Sequence, residues 1–106
     1  MSKLIEKRDE ENAIRTAANM VATLQAVEVQ LASDAGIITT LEAKIAASPD
    51  GKDVTDEDLR NLLDARTRTT HNNARKQTYK AEFPVIKEKI KDKELTDEID
   101  AEIAKL

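Results

Sequence analysis

Two sets of positions recur every seven residues in the first half of the chain. Ala17, Leu24, Leu31, Ile38 and Ile45 form one; Ala13, Met20, Val27, Asp34 and Leu41, offset by four, form the other. Together they give the 4-3 alternation of a coiled-coil seam, sustained over about four heptads. Every position but Asp34 is apolar. Ile14, Ala18, Val21 and Ala22 widen the stripe beyond one contact line, so this helix is predicted to touch more than one neighbour. The pattern predicts one helix over residues 4–47, about 66 Å long at 1.5 Å per residue. Gly36, beside Ser33, Asp34 and the run Ile37-Ile38-Thr39-Thr40, is a place for a bend. The seam keeps its register through it, which argues for a continuous helix.

Residues 48–54 read as a turn: Pro49, Asp50 and Gly51 are turn chemistry. Thr55 is a good N-cap with Asp58 three residues on, and Val54 and Leu59 are spaced as a hydrophobic staple. A second helix is predicted over 56–93, with Phe83-Pro84 as a candidate joint, because proline in a helix interior removes a hydrogen bond and crowds the preceding turn. Its seam runs Leu62, Ala65, Thr69, Asn72, Lys76, Tyr79, Phe83, Ile86 and Ile90. A third helix is predicted over 97–106, capped by Thr96, with Ile99, Ile103 and Leu106 on one face. The short turn makes the two long helices antiparallel neighbours. The predicted fold is a single all-α domain, an antiparallel helical hairpin or coiled coil with a short C-terminal helix. Facing positions sum to about 102, which sets Asp34 opposite Arg68 or Arg66, and Glu28 opposite Ala74 and Arg75.

Composition sharpens this picture. Of the apolar residues 15 are Ala, and only Tyr79 and Phe83 are aromatic, so the core is thin and a partner chain is expected to complete it. There is no Cys, which removes disulfides, thiolate nucleophiles and Cys-ligated metal. No apolar run approaches the ~20 residues of a membrane span, and the start of the chain turns acidic too early for a secretory signal. A soluble cytoplasmic protein is the expectation. The length and pattern are of the kind found in small bacterial and bacteriophage accessory proteins, and no motif narrows this to a family.

The candidate chemistry lies in residues 65–80, a stretch with neither an acid nor any Leu, Ile, Val, Met or Phe. Arg66, Arg68, Asn72, Arg75, Lys76, Tyr79 and Lys80 make a basic face for an acidic partner protein or a dimer mate. One alternative is a solvated face with internal pairs to the first helix; another is nucleic acid, with phosphates on the cations, base edges on Asn72 and a base stacked on Tyr79. The net charge of −4 and the lack of a second basic element weigh against that. His71 is the only histidine and has no catalytic or zinc-ligating company. The acids of the turn do not fit a calcium loop, which needs a Gly at its sixth position, and they are explained as helix caps. No phosphate loop, nucleophile elbow or metal cluster is present, so no enzyme, cofactor or metal is implied.

The reading is a non-enzymatic protein–protein interaction module: an adaptor, assembly factor or inhibitor. It would self-associate, as a dimer by preference, through Ala17, Met20, Val21, Leu24, Val27, Leu31, Ile38, Leu41 and Ile45. Asp34 would be either the polar residue that fixes register or, with the helix kinked at Gly36, a residue facing water. A scaffolding part in a larger assembly is a further alternative.

Overall fold

A computed structural model describes residues 2–106. It is all-helical: α1 spans Lys3–Ala46, α2 Asp56–Lys87 and α3 Lys93–Ala104. α1 and α2 form the expected antiparallel hairpin. α1 is unbroken at Gly36, whose backbone is not in the positive-φ region. The only cost there is helix propensity, about 1 kcal/mol relative to Ala. At the turn, Gly51 takes φ +72, a left-handed conformation that favours glycine, and its N–H donates to the Ser48 carbonyl (3.0 Å). The buried Ser48 hydroxyl accepts from the Asp53 N–H (3.3 Å). Thr55 and Asp58 form the reciprocal capping box: the Asp58 N–H donates to Thr55 Oγ1 (3.0 Å) and the Thr55 N–H to Asp58 Oδ2 (3.1 Å).

The far end of α2 and the start of α3 differ from the sequence expectation. Pro84 lies inside α2, but the helix stops at Lys87, within one turn of it, rather than at 93. The Lys89 and Ile90 N–H groups then close tighter turns onto Ile86 and Lys87. α3 begins at Lys93, not 97. Its N-cap is Asp92, whose carboxylate accepts from the Glu94 and Leu95 N–H groups. Thr96 lies inside the helix and its hydroxyl donates to the Lys93 carbonyl. Two cap candidates competed, and the earlier start adds Leu95 to the stripe of Ile99 and Ile103, all set against the core.

The chain divides into two compact units. The first comprises the residues up to Gln25 and Arg75–Leu106, the second Ala26–Ala74. In the first unit three helical segments enclose Ala13, Ala17, Met20, Leu24, Phe83, Ile90 and Ile99. Phe83 has no exposed surface, and Tyr79 meets it edge-to-face at 6.1 Å and 71°. Each large side chain buried here contributes about 1.5–3 kcal/mol by removal from water. Outside the core, the Lys91 N–H donates to Glu10 Oε2 (2.7 Å) and Lys87 pairs with Asp100 (2.7 Å).

This core corrects one expectation. Ala17, Met20, Leu24 and Val27 are buried within the chain, and Val21 is partly buried against the same cluster. They are not an uncovered face. The hairpin register brings Tyr79 and Phe83 to the levels of Leu24 and Met20, and α3 adds Ile99 beside them.

The second unit is a two-helix hairpin with its turn. Its buried residues are Val27, Leu62, Ala65, Ser48 and Asp34. Two ion pairs set its register: Arg68–Asp34 at 2.9 Å and Lys44–Asp58 at 2.6 Å. Both join positions equidistant from Gly51, as equal rises along antiparallel helices require. Thr69, polar at a seam position, returns its hydroxyl proton to the Ala65 carbonyl (2.8 Å) and needs no partner across the hairpin.

Candidate functional site

Asp34 occupies a core heptad position of α1 and has no exposed surface. Arg68 Nε donates to both of its oxygens (3.2 Å each) and Nη2 to Oδ1 (2.9 Å). Gln30, one turn earlier on α1, donates to Oδ2 (3.1 Å). The fork is the bidentate geometry in which a guanidinium binds a carboxylate best. Hydrogen bonding by Arg68 holds the Asp34 carboxyl below its ordinary range, against enclosure, which acts upward. The enclosure is local. The unit is two helices thick, and Arg68 is itself 45% exposed. No buried side-chain polar atom among the described residues lacks a partner.

Arg68 also lines an open groove of about 670 Å³ between the helices of this unit, with Ser33, Gly36, Ile37, Thr40, Leu41, Asn61 and Asp64. Ile37 and Leu41 supply its apolar surface and are half-buried. Leu31, Ile38, Ile45 and Val54 are half-buried as well, while Val29 (72%), Leu59 (50%) and Leu63 (64%) are exposed. The unit therefore holds eleven Val, Ile and Leu residues and buries two, Val27 and Leu62. A second, smaller groove of about 240 Å³ lies in the first unit, lined by Ile14, Ala18, Val21, Leu95 and Glu98 over the buried Ala17, Ile90 and Ile99.

The basic stretch does not form one free face. Arg68 is spent on Asp34, and Arg66 pairs with Glu42 (2.8 Å). Tyr79 is half-buried, packed edge-to-face on Phe83 against the first unit's core, so part of its ring is already taken up. Asn72 and Lys76 are half-buried, and Arg75, Lys80 and His71 are exposed. The ion pair from Asp34 goes to Arg68, one of the two residues the register allowed, and Arg66 is engaged elsewhere. Sequence reasoning missed Gln30, although its spacing of four before Asp34 is the helical hydrogen-bonding distance. It also missed Asn61 and Asp64, which carry no periodic signal, the pairing of Lys44 with Asp58, and the hydrogen bond from the Lys91 N–H to Glu10.

Among the described residues no group of three His, Cys, Asp or Glu side chains is placed to hold a metal ion. No helix is long and apolar enough to cross a membrane. The chain matches no protein-family model, no curated protein and no solved structure. The reading of its function therefore rests on the chemistry of these surfaces.

Proposed function

We propose that the protein is a non-enzymatic helical interaction module whose working surface is the groove of the 26–74 unit. One observation carries this: Ile37 and Leu41 give the open groove between the two helices an apolar lining, edged by Ser33, Thr40, Asn61, Asp64 and Arg68, that no third helix of the unit covers. Exposed contiguous apolar surface with a polar rim is the mark of a contact site. The buried Asp34–Arg68 pair supports the reading, because a polar layer at a core heptad position fixes which helix pairs with which, and in what register. Of the self-association face expected from the sequence, Leu41 lines the groove, together with Ile37, while Leu31, Ile38 and Ile45 are half-buried outside its lining. The nucleic-acid reading has less to stand on, since Arg66 and Arg68 are ion-paired and Tyr79 is half-buried against a core.

Photo-crosslinking in the native cell tests it. A photoreactive side chain at Thr40, in the groove, is expected to give a discrete protein adduct. The same group at Arg15, exposed on the first unit, is expected to give none. Equal labelling from both positions, or none from either, contradicts the proposal.

A further inference from the structure

The groove residues have an internal symmetry. On α1, Ser33 and Thr40 lie equally far on either side of the boundary between Gly36 and Ile37. On α2, Asp64 and Arg68 lie equally far on either side of Arg66. The two midpoints are themselves level, since both are equidistant from Gly51 within one residue, as are the ion pairs Asp34–Arg68 and Lys44–Asp58. A two-fold axis through that level would set Asp64 of one copy against Arg68 of the other, and the reverse. It would also set Ile37 against the other copy's Gly36, and Ser33 against Thr40. From this we infer that the groove's occupant is a second copy of this chain, packed antiparallel, α1 on α1 and α2 on α2. The inference rests on the reading of the groove as the working surface.

Three further observations support a second copy over an unrelated partner. First, the groove rim carries one acid and one base, so it is self-complementary across a two-fold axis. Asp64 attracts Arg68 one turn on along the same helix without a direct contact to it, and Arg68 uses Nε and Nη2 on Asp34, leaving Nη1 outside that fork. The unit's acidic excess lies elsewhere: five of its nine acids fall in residues 50–58, at the turn, so a basic partner would be drawn there. Second, Gly36 is a poor helix former in the middle of a long helix. A Cβ on it would meet nothing within 4 Å in the chain, and its φ needs no glycine. Contacts within one copy give no reason for it, whereas an Ile37 side chain arriving from a second copy does. Third, the area suffices. Two helical segments of about 20 residues are roughly 30 Å long and 20 Å across together, or about 600 Å² per copy and 1,200 Å² in all. That reaches the lower edge of specific interfaces. The result is four helices around a core to which each copy brings Ile37 and Leu41, with the Asp34–Arg68 pairs at its margin.

The test uses the purified full chain. Sedimentation velocity is expected to give a dimer at tens of micromolar. Gly36→Leu is expected to give a monomer of unchanged helicity, because the new side chain finds open space within one copy but blocks the crossing. Asp64→Arg is expected to weaken the dimer at least about ten-fold by setting two cations together. The chain has no cysteine, so single engineered ones report register directly. A Ser33→Cys chain mixed with a Thr40→Cys chain is expected to form the mixed disulfide faster than either forms its own. A dimer in which Ser33→Cys prefers to couple with itself overturns the two-fold placement. A wild-type monomer at about 100 µM overturns the second copy as occupant. The groove reading then survives if Thr40 still crosslinks a different protein in cells, and falls with it if Thr40 crosslinks nothing.

Discussion

The same two helices run through both units, yet the units bury their apolar stripes to different extents. In the first, α3 and the end of α2 close over α1, and Phe83, Met20, Leu24, Ile90 and Ile99 leave water almost completely. In the second there is no third helix. Val27 and Leu62 are buried, the centre of the seam is an ion pair, and Leu59 and Leu63 stand in solvent. A hairpin covers only one line of a broad stripe. Covering the rest takes a second neighbour. The first unit has that neighbour and the second does not.

The largest expected effect lies in the first unit. Phe83→Ala should lower unfolding free energy by about 3–5 kcal/mol in a denaturant titration. Leu62→Ala, in the thinner layer, should cost about 2–3 kcal/mol, near the low end for such truncations, because a two-helix site relaxes more easily. If the two losses were equal, the contrast between the units would be wrong.

Next comes the ion pair. Arg68→Leu leaves Asp34 enclosed without its main donor, and should lower the denaturant midpoint more than the double change Asp34→Leu/Arg68→Leu does. A double variant worse than Arg68→Leu would mean that the pair is worth more than the hydrophobic contact replacing it.

Acid should act on the two units unequally. Arg68 hydrogen bonds lower the Asp34 pKa, the Lys44 hydrogen bond lowers that of Asp58, and the Lys91 N–H lowers that of Glu10. Each group is more acidic folded than unfolded, so its contribution is complete above the unfolded carboxyl pKa of about 4. It fades as pH falls through the lower folded value. Two of the three groups belong to the second unit, so amide exchange there should quicken first between about pH 5 and 3. Equal quickening in both units would remove this distinction.

The smallest effects concern local chain preferences. Thr55→Ala should cost about 1 kcal/mol through loss of the capping box. Gly36→Ala has the opposite sign in the isolated chain: it should stabilise the dilute monomer by about 0.5–1 kcal/mol, since nothing in one copy opposes a methyl group there. A loss of stability under those conditions would place an unrecognised contact at Gly36.

Much of this fold was legible in the sequence. The heptads of α1 carry its length, the Thr55 and Asp58 pair marks the start of α2, and the register about the turn led from Asp34 to Arg68. The misreadings share a cause. Asp92 and Thr96 are both competent caps, and only the packing of Leu95 selects between them. The surplus of Met20 and Leu24 vanished because the docking of α3 is a tertiary event with no local signal. The groove was visible only in part. Leu41 stands in the periodic pattern, whereas Gly36, Asn61 and Asp64 acquire meaning only once two helices set them around one space.

The central claim is that the first unit is complete on its own and the second is not. Residue-resolved amide hydrogen exchange at about micromolar concentration, where weak association is negligible, tests it most directly. The account predicts that amides around Met20, Phe83 and Ile99 exchange only through global unfolding, while those around Ile37, Leu41 and Leu63 open at much lower free energy. Equal protection in the two units under those conditions would contradict it.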